Sequence, residues 1–405
     1  MNIVSLYFAL WVVKDCDAPD ILYSLTYSSS MIMVAIFSPI FGIIADRSKN
    51  VIPLFALITI FSCGSTYLIG IYDNLLFGLF FFLIANFTYQ SALVFYNFLL
   101  PEISDDKNRG KISGIGVGFG YVGAIIGLIL IEPFVIKEKF NTLPAILKPV
   151  IEFLSIKPLS DGMSVRINAF IPTAILFFIF SIPCFLFVKQ KIDPSNLYLK
   201  SGKRGLWKEL LSTLRSFRKN KNIFLFLLSN LLFMDAVHTV IIFMSVFASN
   251  AIGFNDIEIV NLLIISTTFA ILGSFMWGFI SDKYGHKKTL TIILHCWLIV
   301  LISAAIVQSK ALFYLIGALC GVSMGGVWVS ARPLLVSITP KEKTGEFFGL
   351  YGLTGKFAAI TGPMIWGLIT FIFESYGNIK YRLAILALSI LIIAGILILQ
   401  RVKVE

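Results

Sequence analysis

The chain has 405 residues, 58% hydrophobic and only 14% charged, with a mean hydropathy of +0.89. A soluble domain carries about a quarter of its residues as charges. The composition therefore excludes one and points to an all-α, polytopic membrane protein whose spans each take roughly 20 mostly apolar residues. The net charge of +11 does not read as nucleic-acid binding, because the basic residues lie in short loops between apolar runs, where they set membrane orientation. The 38 Phe fit lipid-facing helices. Five cysteines are scattered singly, at Cys16, Cys63, Cys184, Cys296 and Cys320. Their spacing matches neither a metal site nor a disulfide framework.

Apolar segments recur near 1–13, 20–45, 51–72, 75–100, 111–136, 166–188, 222–250, 258–281, 288–309, 311–338, 346–373 and 382–400. They make about twelve spans if the first is included. At 1.5 Å per residue the first reaches roughly 20 Å, against a hydrocarbon core of about 30 Å. The expectation is a truncated first span or a start upstream. The first run also lacks the basic flank and small-residue site of a cleavable signal peptide. Loops 46–51, 101–111, 189–222, 282–288, 339–345 and 401–405 hold most of the 33 Lys and Arg, which places them in the cytoplasm.

The expected domains are a six-helix bundle over 1–188, a basic linker over 189–221 and a second six-helix bundle over 222–405. Within the linker Trp207, Leu210, Leu211, Leu214 and Phe217 recur at helical spacing among Lys208, Arg215, Arg218 and Lys219. That pattern predicts an amphipathic helix on the inner leaflet. Residues 137–165, on the opposite side, read equally as a short interfacial helix, a lid or a plain surface loop.

The bundles read as a duplication. Gly278-Phe-Ile-Ser-Asp282-Lys283-Tyr-Gly285-His-Lys287-Lys288 has a weaker copy, Gly42-Ile-Ile-Ala-Asp46-Arg47-Ser-Lys49. The same offset sets Gly110 on Gly345, Gly114 on Gly349, Gly120 on Gly355 and Gly127 on Gly362. Two parallel six-helix halves around a midplane site are the physical logic of an alternating-access carrier.

The two loop signatures resemble those of the major facilitator superfamily. More narrowly, the vacuole-effluxer-like branch is similar at Asn97-Phe-Leu-Leu-Pro-Glu102-Ile, at Arg109-Gly-Lys-Ile-Ser-Gly, at Phe233-Met-Asp235-Ala-Val-His-Thr239 and at Phe347-Phe-Gly-Leu-Tyr-Gly-Leu-Thr-Gly-Lys356. The resemblance implies the major-facilitator fold and transport. The eukaryotic members of the branch are autophagy-related vacuolar amino-acid effluxers, and many members have no assigned substrate. The branch usually opens with a Tyr-Asp-Trp-Ala-Asn-type motif that this chain does not contain. The first signature also carries Ser48 and Lys49 where a second glycine is usual.

Charges inside spans cost about 2.5–3.5 kcal/mol on insertion scales and mark function by default. Three qualify: Asp235 in the seventh span, Arg332 in the tenth and Lys356 in the eleventh. Asp235 and Lys356 fall at similar depth, so they are expected to face one cavity and to form, or be able to form, an ion pair. His238 and Thr239 share the face of Asp235. Repeat-equivalent positions in the first half are neutral: Asn97 for Arg332 and Tyr121 for Lys356, with Asn86 and Gln90 on the same face as Asn97. The set predicts hydrogen bonding from the first half and charge recognition or coupling from the second. The plainer readings stay open, namely a structural helix–helix pair for Asp235, a snorkelling Arg332 and interhelical bonds for the amides.

Gly42, Asp46, Arg47, Gly278, Asp282 and Lys283 are the expected gating residues. Gly permits close helix approach, while an acid contributes little to orientation. No Walker loop and no defensible Ser/His/Asp set occurs, so neither ATP hydrolysis nor other catalysis is expected. The reading is a secondary carrier for a small polar solute, with amino acids and export the first choice and protons as the coupling ion. It needs no cofactor or nucleic acid, works as a monomer in the bilayer, and sits in a prokaryotic inner membrane. Export of hydrophobic or cationic compounds, or a non-transporting receptor or scaffold, remain the alternatives.

Overall fold

The computed structural model describes residues 2–18, 20–159, 165–188 and 220–404. The amphipathic helix expected in the linker falls outside them. The helices in chain order are α1 Asn2–Leu10, α2 Asp20–Arg47, α3 Ile52–Ile71, α4 Leu75–Phe98, α5 Leu100–Ile103, α6 Arg109–Val135, α7 Lys137–Asn141 and α8 Lys148–Leu154. There follow α9 Phe170–Phe187, α10 Lys221–Phe247, α11 Asp256–Tyr284, α12 His286–Ile306, α13 Lys310–Ile338, α14 Thr344–Ile372 and α15 Ile379–Gln400. Among the described residues, 11 helices are long and apolar enough to cross a membrane, and α1 is the shorter apolar one. The chain is an integral multi-pass membrane protein, with the predicted spans found nearly in place.

The ends of the helices are set by local chemistry. Asn74 caps α4 by accepting from the N–H groups of Leu76 and Phe77. Asn255 and Glu258 form a reciprocal capping box at α11, and Glu258 is then bound by Lys310 at the start of α13. Between α11 and α12 the chain turns at Gly285, whose φ of +89° a side chain would strain. This is the last glycine of the second loop signature.

The chain forms two units. One comprises the residues up to Leu99 and again from Val122; the other comprises Leu100–Tyr121 and the chain after the linker. The first part of α6 goes with the second unit, because its small and polar residues close on α11 and α13.

In the first unit α1 and the turn after it pack through aromatic rings: Phe8 stacks on Phe82 at 4.2 Å, and Trp11 meets Phe170 edge-on. Two side-chain bonds join neighbouring spans here: Ser62 Oγ donates to the Ala85 carbonyl at 3.1 Å and Asn86 Nδ2 to Ser30 Oγ at 2.7 Å. On the face away from the basic loops, ion pairs join Asp15 to Arg166 and Asp73 to Lys157.

The second unit has a seam of small residues. A Cβ at Gly325 would meet the Ala270 carbonyl at 2.5 Å, and one at Gly273 would meet Val322 Cα at 2.7 Å. Such contact replaces the hydrophobic drive that lipid does not supply. Gly321 and Gly325 likewise serve the α11–α13 packing. At one end of this unit Arg382 Nη1 donates to the carbonyls of Ala305 and Val307, and its Nη2 to that of Ala251, at 2.7, 2.8 and 3.1 Å. It closes helix ends that otherwise leave carbonyls unsatisfied. At the other end Lys287 Nζ donates to the Gln400 and Val402 carbonyls.

Candidate functional site

Asp235 lies within α10 with 3% of its surface exposed. Its Oδ1 accepts from the Gly362 N–H at 2.6 Å and its Oδ2 from Thr361 Oγ1 at 2.7 Å. The next residue, Pro363, lies inside α14. Proline has no N–H and leaves the carbonyl four residues before it without its intrahelical donor. The carboxylate thus binds α14 at its weakest turn. Gly362 is needed there: a Cβ would meet the Asp235 carbonyl at 2.7 Å and Oδ1 at 2.8 Å, and would collide with Thr239 Oγ1. Thr239 itself donates to the Asp235 carbonyl at 2.7 Å.

The partners of Asp235 are therefore Thr361 and Gly362 rather than the expected Lys356. The expectation measured depth from helix ends, as though both helices stood upright. The registration of α10 on α14 is set instead by where the backbones can touch, and that is Gly362. The Gly362-Pro363 pair inside an apolar run was the sequence signal.

The His238 ring lies edge-on to Trp328 of α13 at 6.2 Å, within electrostatic reach of Lys356. Below Asp235, Asn230 Nδ2 donates to Thr354 Oγ1 at 2.9 Å. Asn230 Oδ1 and the Tyr351 hydroxyl are buried and have no hydrogen-bond partner among the described residues. The Tyr351 ring stacks on Phe226. Sequence reasoning passed over Asn230, Thr354 and Tyr351; an Asn inside an apolar span was the available sign.

Arg332 is 7% exposed. Its Nε donates to the Trp328 carbonyl at 3.1 Å, and its Nη2 to Ser113 Oγ at 3.0 Å and the Ser113 carbonyl at 3.3 Å. The guanidinium thus turns onto α6 instead of snorkelling to a membrane surface. Tyr121, also on α6, lies within its electrostatic reach. Asp235, His238, Lys356, Arg332 and Tyr121 thus all belong to the second unit.

The second loop signature closes on the start of α6. Asp282 Oδ1 accepts from the Gly110 N–H at 2.6 Å and Oδ2 from the Lys111 N–H at 2.7 Å. These are donors that a helix N-terminus leaves free, at the positive end of its dipole. The backbones meet because the contact residues are glycines. A Cβ at Gly278 would lie 3.0 Å from the Gly110 carbonyl, and one at Gly114 would lie 2.5 Å from the Ser274 carbonyl. Lys111 Nζ sits over the Phe279 ring at 5.2 Å. Lys283 is exposed and lies over its neighbour Tyr284, so it stands outside this contact. In the first signature Gly42 and Asp46 are buried and Arg47 is half-buried.

Of the first-half amides, Asn86 is committed to Ser30 across α4 and α2, and Gln90 and Asn97 are half-buried on α4. The repeat is visible in the packing as well as the sequence. Gly127, equivalent to Gly362, has Ile3 Cδ1 2.7 Å from where its Cβ would be, and Ile3 is the counterpart of His238 or Thr239.

The family described as "Vacuole effluxer Atg22 like" matches residues 21–405. The chain is 27% identical to an uncharacterised MFS-type transporter, YxiO, of Bacillus subtilis, over 94% of this chain and 84% of that one. It is 28% identical to autophagy-related protein 22-1 of Neosartorya fischeri over 73% of this chain, and it spans about half (49%) of the fungal protein's length. Among solved structures, the major facilitator superfamily transporter FucP in its outward conformation aligns with a TM-score of 0.70 at 12% identity, covering 100% of this chain and 98% of that one. A bacterial homologue of the iron transporter ferroportin, outward-facing, aligns with a TM-score of 0.61 at 14% identity, over 99% and 95% of the two chains. These likenesses give the fold, two six-helix halves, and the family is one of transporters, not enzymes. The chain belongs to the Atg22-like vacuole effluxer family of major facilitator superfamily membrane transporters.

Proposed function

We propose that this protein is a secondary carrier that exports a small polar solute, an amino-acid-like zwitterion or small carboxylate, by alternating access coupled to protons. The observation that carries the reading is the Asp235 carboxylate, buried in α10 and bonded to α14 beside Pro363. An ionised carboxylate only accepts hydrogen bonds; once protonated, one oxygen becomes a donor. Protonation therefore weakens the tie to the Gly362 N–H and Thr361 hydroxyl. It releases α14 at a turn that already lacks a backbone bond. A proton on Asp235 and a pivot in α14 are then one event, which is what coupling requires.

The solute's charged ends have matching groups in the same unit. Lys356 and Arg332 suit a carboxylate, and Arg332 offers a planar fork. Asn230 Oδ1 and the Tyr351 hydroxyl are buried groups whose hydrogen bonding a solute can complete. In the first unit Gln90 and Asn97 are the candidates for solute contact, whereas Asn86 holds two helices together. On the cytoplasmic side Gly278 and Asp282 act as a lock on α6, with Gly42, Asp46 and Arg47 as its counterpart in the other half. Export follows the family's description as effluxers. The near-full-length bacterial relatives support a prokaryotic inner membrane.

The test is counterflow and pH-driven flux of amino acids in proteoliposomes, with lipophilic cations as competitors. Uptake driven by a pH gradient and lost in Asp235→Asn supports the reading. Flux that ignores both the gradient and this substitution, or that only lipophilic cations inhibit, overturns it.

A further inference from the structure

We infer that α8 and the turn before it form an in-plane anchor seated in the lipid interface, on the membrane face opposite the basic loops. The described residues between α6 and α9 form no helix long enough to span a membrane, yet they display large apolar side chains. Ile146 is 81% exposed, Val150 52% and Phe153 86%. Positions 146, 150 and 153 follow the i, i+4, i+7 spacing of one helix face. Ile151, on another side, is buried. The segment is amphipathic in reverse: its anchored side faces the protein, and its most apolar side faces away from it.

Its position is fixed by bonds to the ends of neighbouring spans. Asn168, at the start of α9, accepts from the Ile156 and Lys157 N–H groups through Oδ1 and donates to the Lys157 carbonyl through Nδ2, at 3.0, 3.0 and 2.8 Å. Lys157 pairs with Asp73, in the short turn between α3 and α4. The Val165 N–H donates to the Val135 carbonyl at the end of α6. These anchor points are all at the ends of spans, the level at which a bilayer passes from hydrocarbon to headgroup. Tyr72 and Phe77, both about half exposed and stacked on each other at that level, fit an interfacial aromatic belt.

Three features identify the occupant as lipid. The last turns of α6, the span that leads into this segment, are themselves exposed at Leu128, Ile129 and Leu130, as a lipid-facing stretch of a spanning helix is. Lys137, Lys139 and Lys148 flank the stripe, and long basic side chains can keep their charge among headgroups while the apolar face is buried. The helix is only 7 residues long, too short to span but long enough to lie in the plane of the interface.

The test is spin-label accessibility in the full-length protein in nanodiscs. In a background with the five native cysteines replaced, labels are placed one at a time by Ile146→Cys, Val150→Cys, Phe153→Cys and Glu152→Cys. The inference predicts that labels at 146, 150 and 153 collide several-fold more with oxygen than with a water-soluble nickel chelate, with the opposite order at 152. Equal nickel access at 153 and 152 would show a solvated loop and overturn the inference. Exclusion of both reagents at 153 would show a protein cover, a lid or a second copy, and would overturn it too. The readout needs no transport activity, so it stands or falls apart from the proposed function.

Discussion

Replacing Asp282 with Asn tests the lock without changing its shape. In the native protein the carboxylate takes two backbone N–H groups of α6, at 2.6 and 2.7 Å. Hydrogen bonds to a charged group contribute about 1.5–3 kcal/mol each, and a charge at a helix N-terminus adds up to about 2 kcal/mol. Asn keeps one acceptor and loses the charge, so the closed contact weakens by about 2 kcal/mol, or about 30-fold in the closed-to-open ratio. Gly114→Ala reaches the same end sterically. Its Cβ would lie 2.5 Å from the Ser274 carbonyl, so reaching the 3.4 Å of ordinary contact needs a shift of about 0.9 Å (3.4 − 2.5) between two backbones. That shift also stretches the Asp282 bonds beyond hydrogen-bond length. Labels at Lys107 and Lys283, both exposed and in the same unit, report the separation of α6 from α11 by electron–electron resonance in nanodiscs. The native protein should give one short distance, and each variant should add a longer population. Unchanged distributions in both variants would refute the lock.

Arg382→Ala removes three bonds that close helix ends. It should cost about 2–4 kcal/mol, read as a lower Tm in detergent, while Arg382→Lys recovers part of the loss; an unchanged Tm contradicts the clamp. Gly362→Ala places a methyl group against Asp235 and Thr239. It should depress solute flux as strongly as Asp235→Asn, with normal flux counting against the α10–α14 contact. Burial, with Asp73 and Asp15 nearby, pushes the Cys16 thiol up to about 11, so the thiol stays protonated at neutral pH. Its maleimide labelling should run about a hundredfold slower than that of a thiol with a pKa of about 9 and rise tenfold per pH unit until the pH nears 11. A plateau near pH 9 would contradict this.

Much of the architecture is legible in the sequence because lipid imposes few and strict rules. Apolar runs mark helices, and a duplicated acid–base signature marks equivalent loops. Asp282 stands out from its type alone, since topology has no use for an acid there. Its partners were not, because backbone N–H groups carry no residue identity. Only the aligned glycines Gly110 and Gly114 hinted that α6 comes close. The same limit explains Asp235. Charge counting paired it with Lys356, whereas a glycine before a proline supplied the actual donor. Asn86 and Ser30 were both visible, but nothing in the spacing of α2 and α4 says that they meet. Arg382 belongs to no sequence motif, and its role depends on three helix ends converging.

The central claim is that the Asp235 carboxylate couples a proton to the movement of solute, and pH-gradient-driven flux in proteoliposomes measures it directly. The account predicts gradient-driven flux in the native protein. In Asp235→Asn it predicts that this is lost while gradient-independent solute exchange persists. Equal gradient-driven flux in both proteins would contradict it.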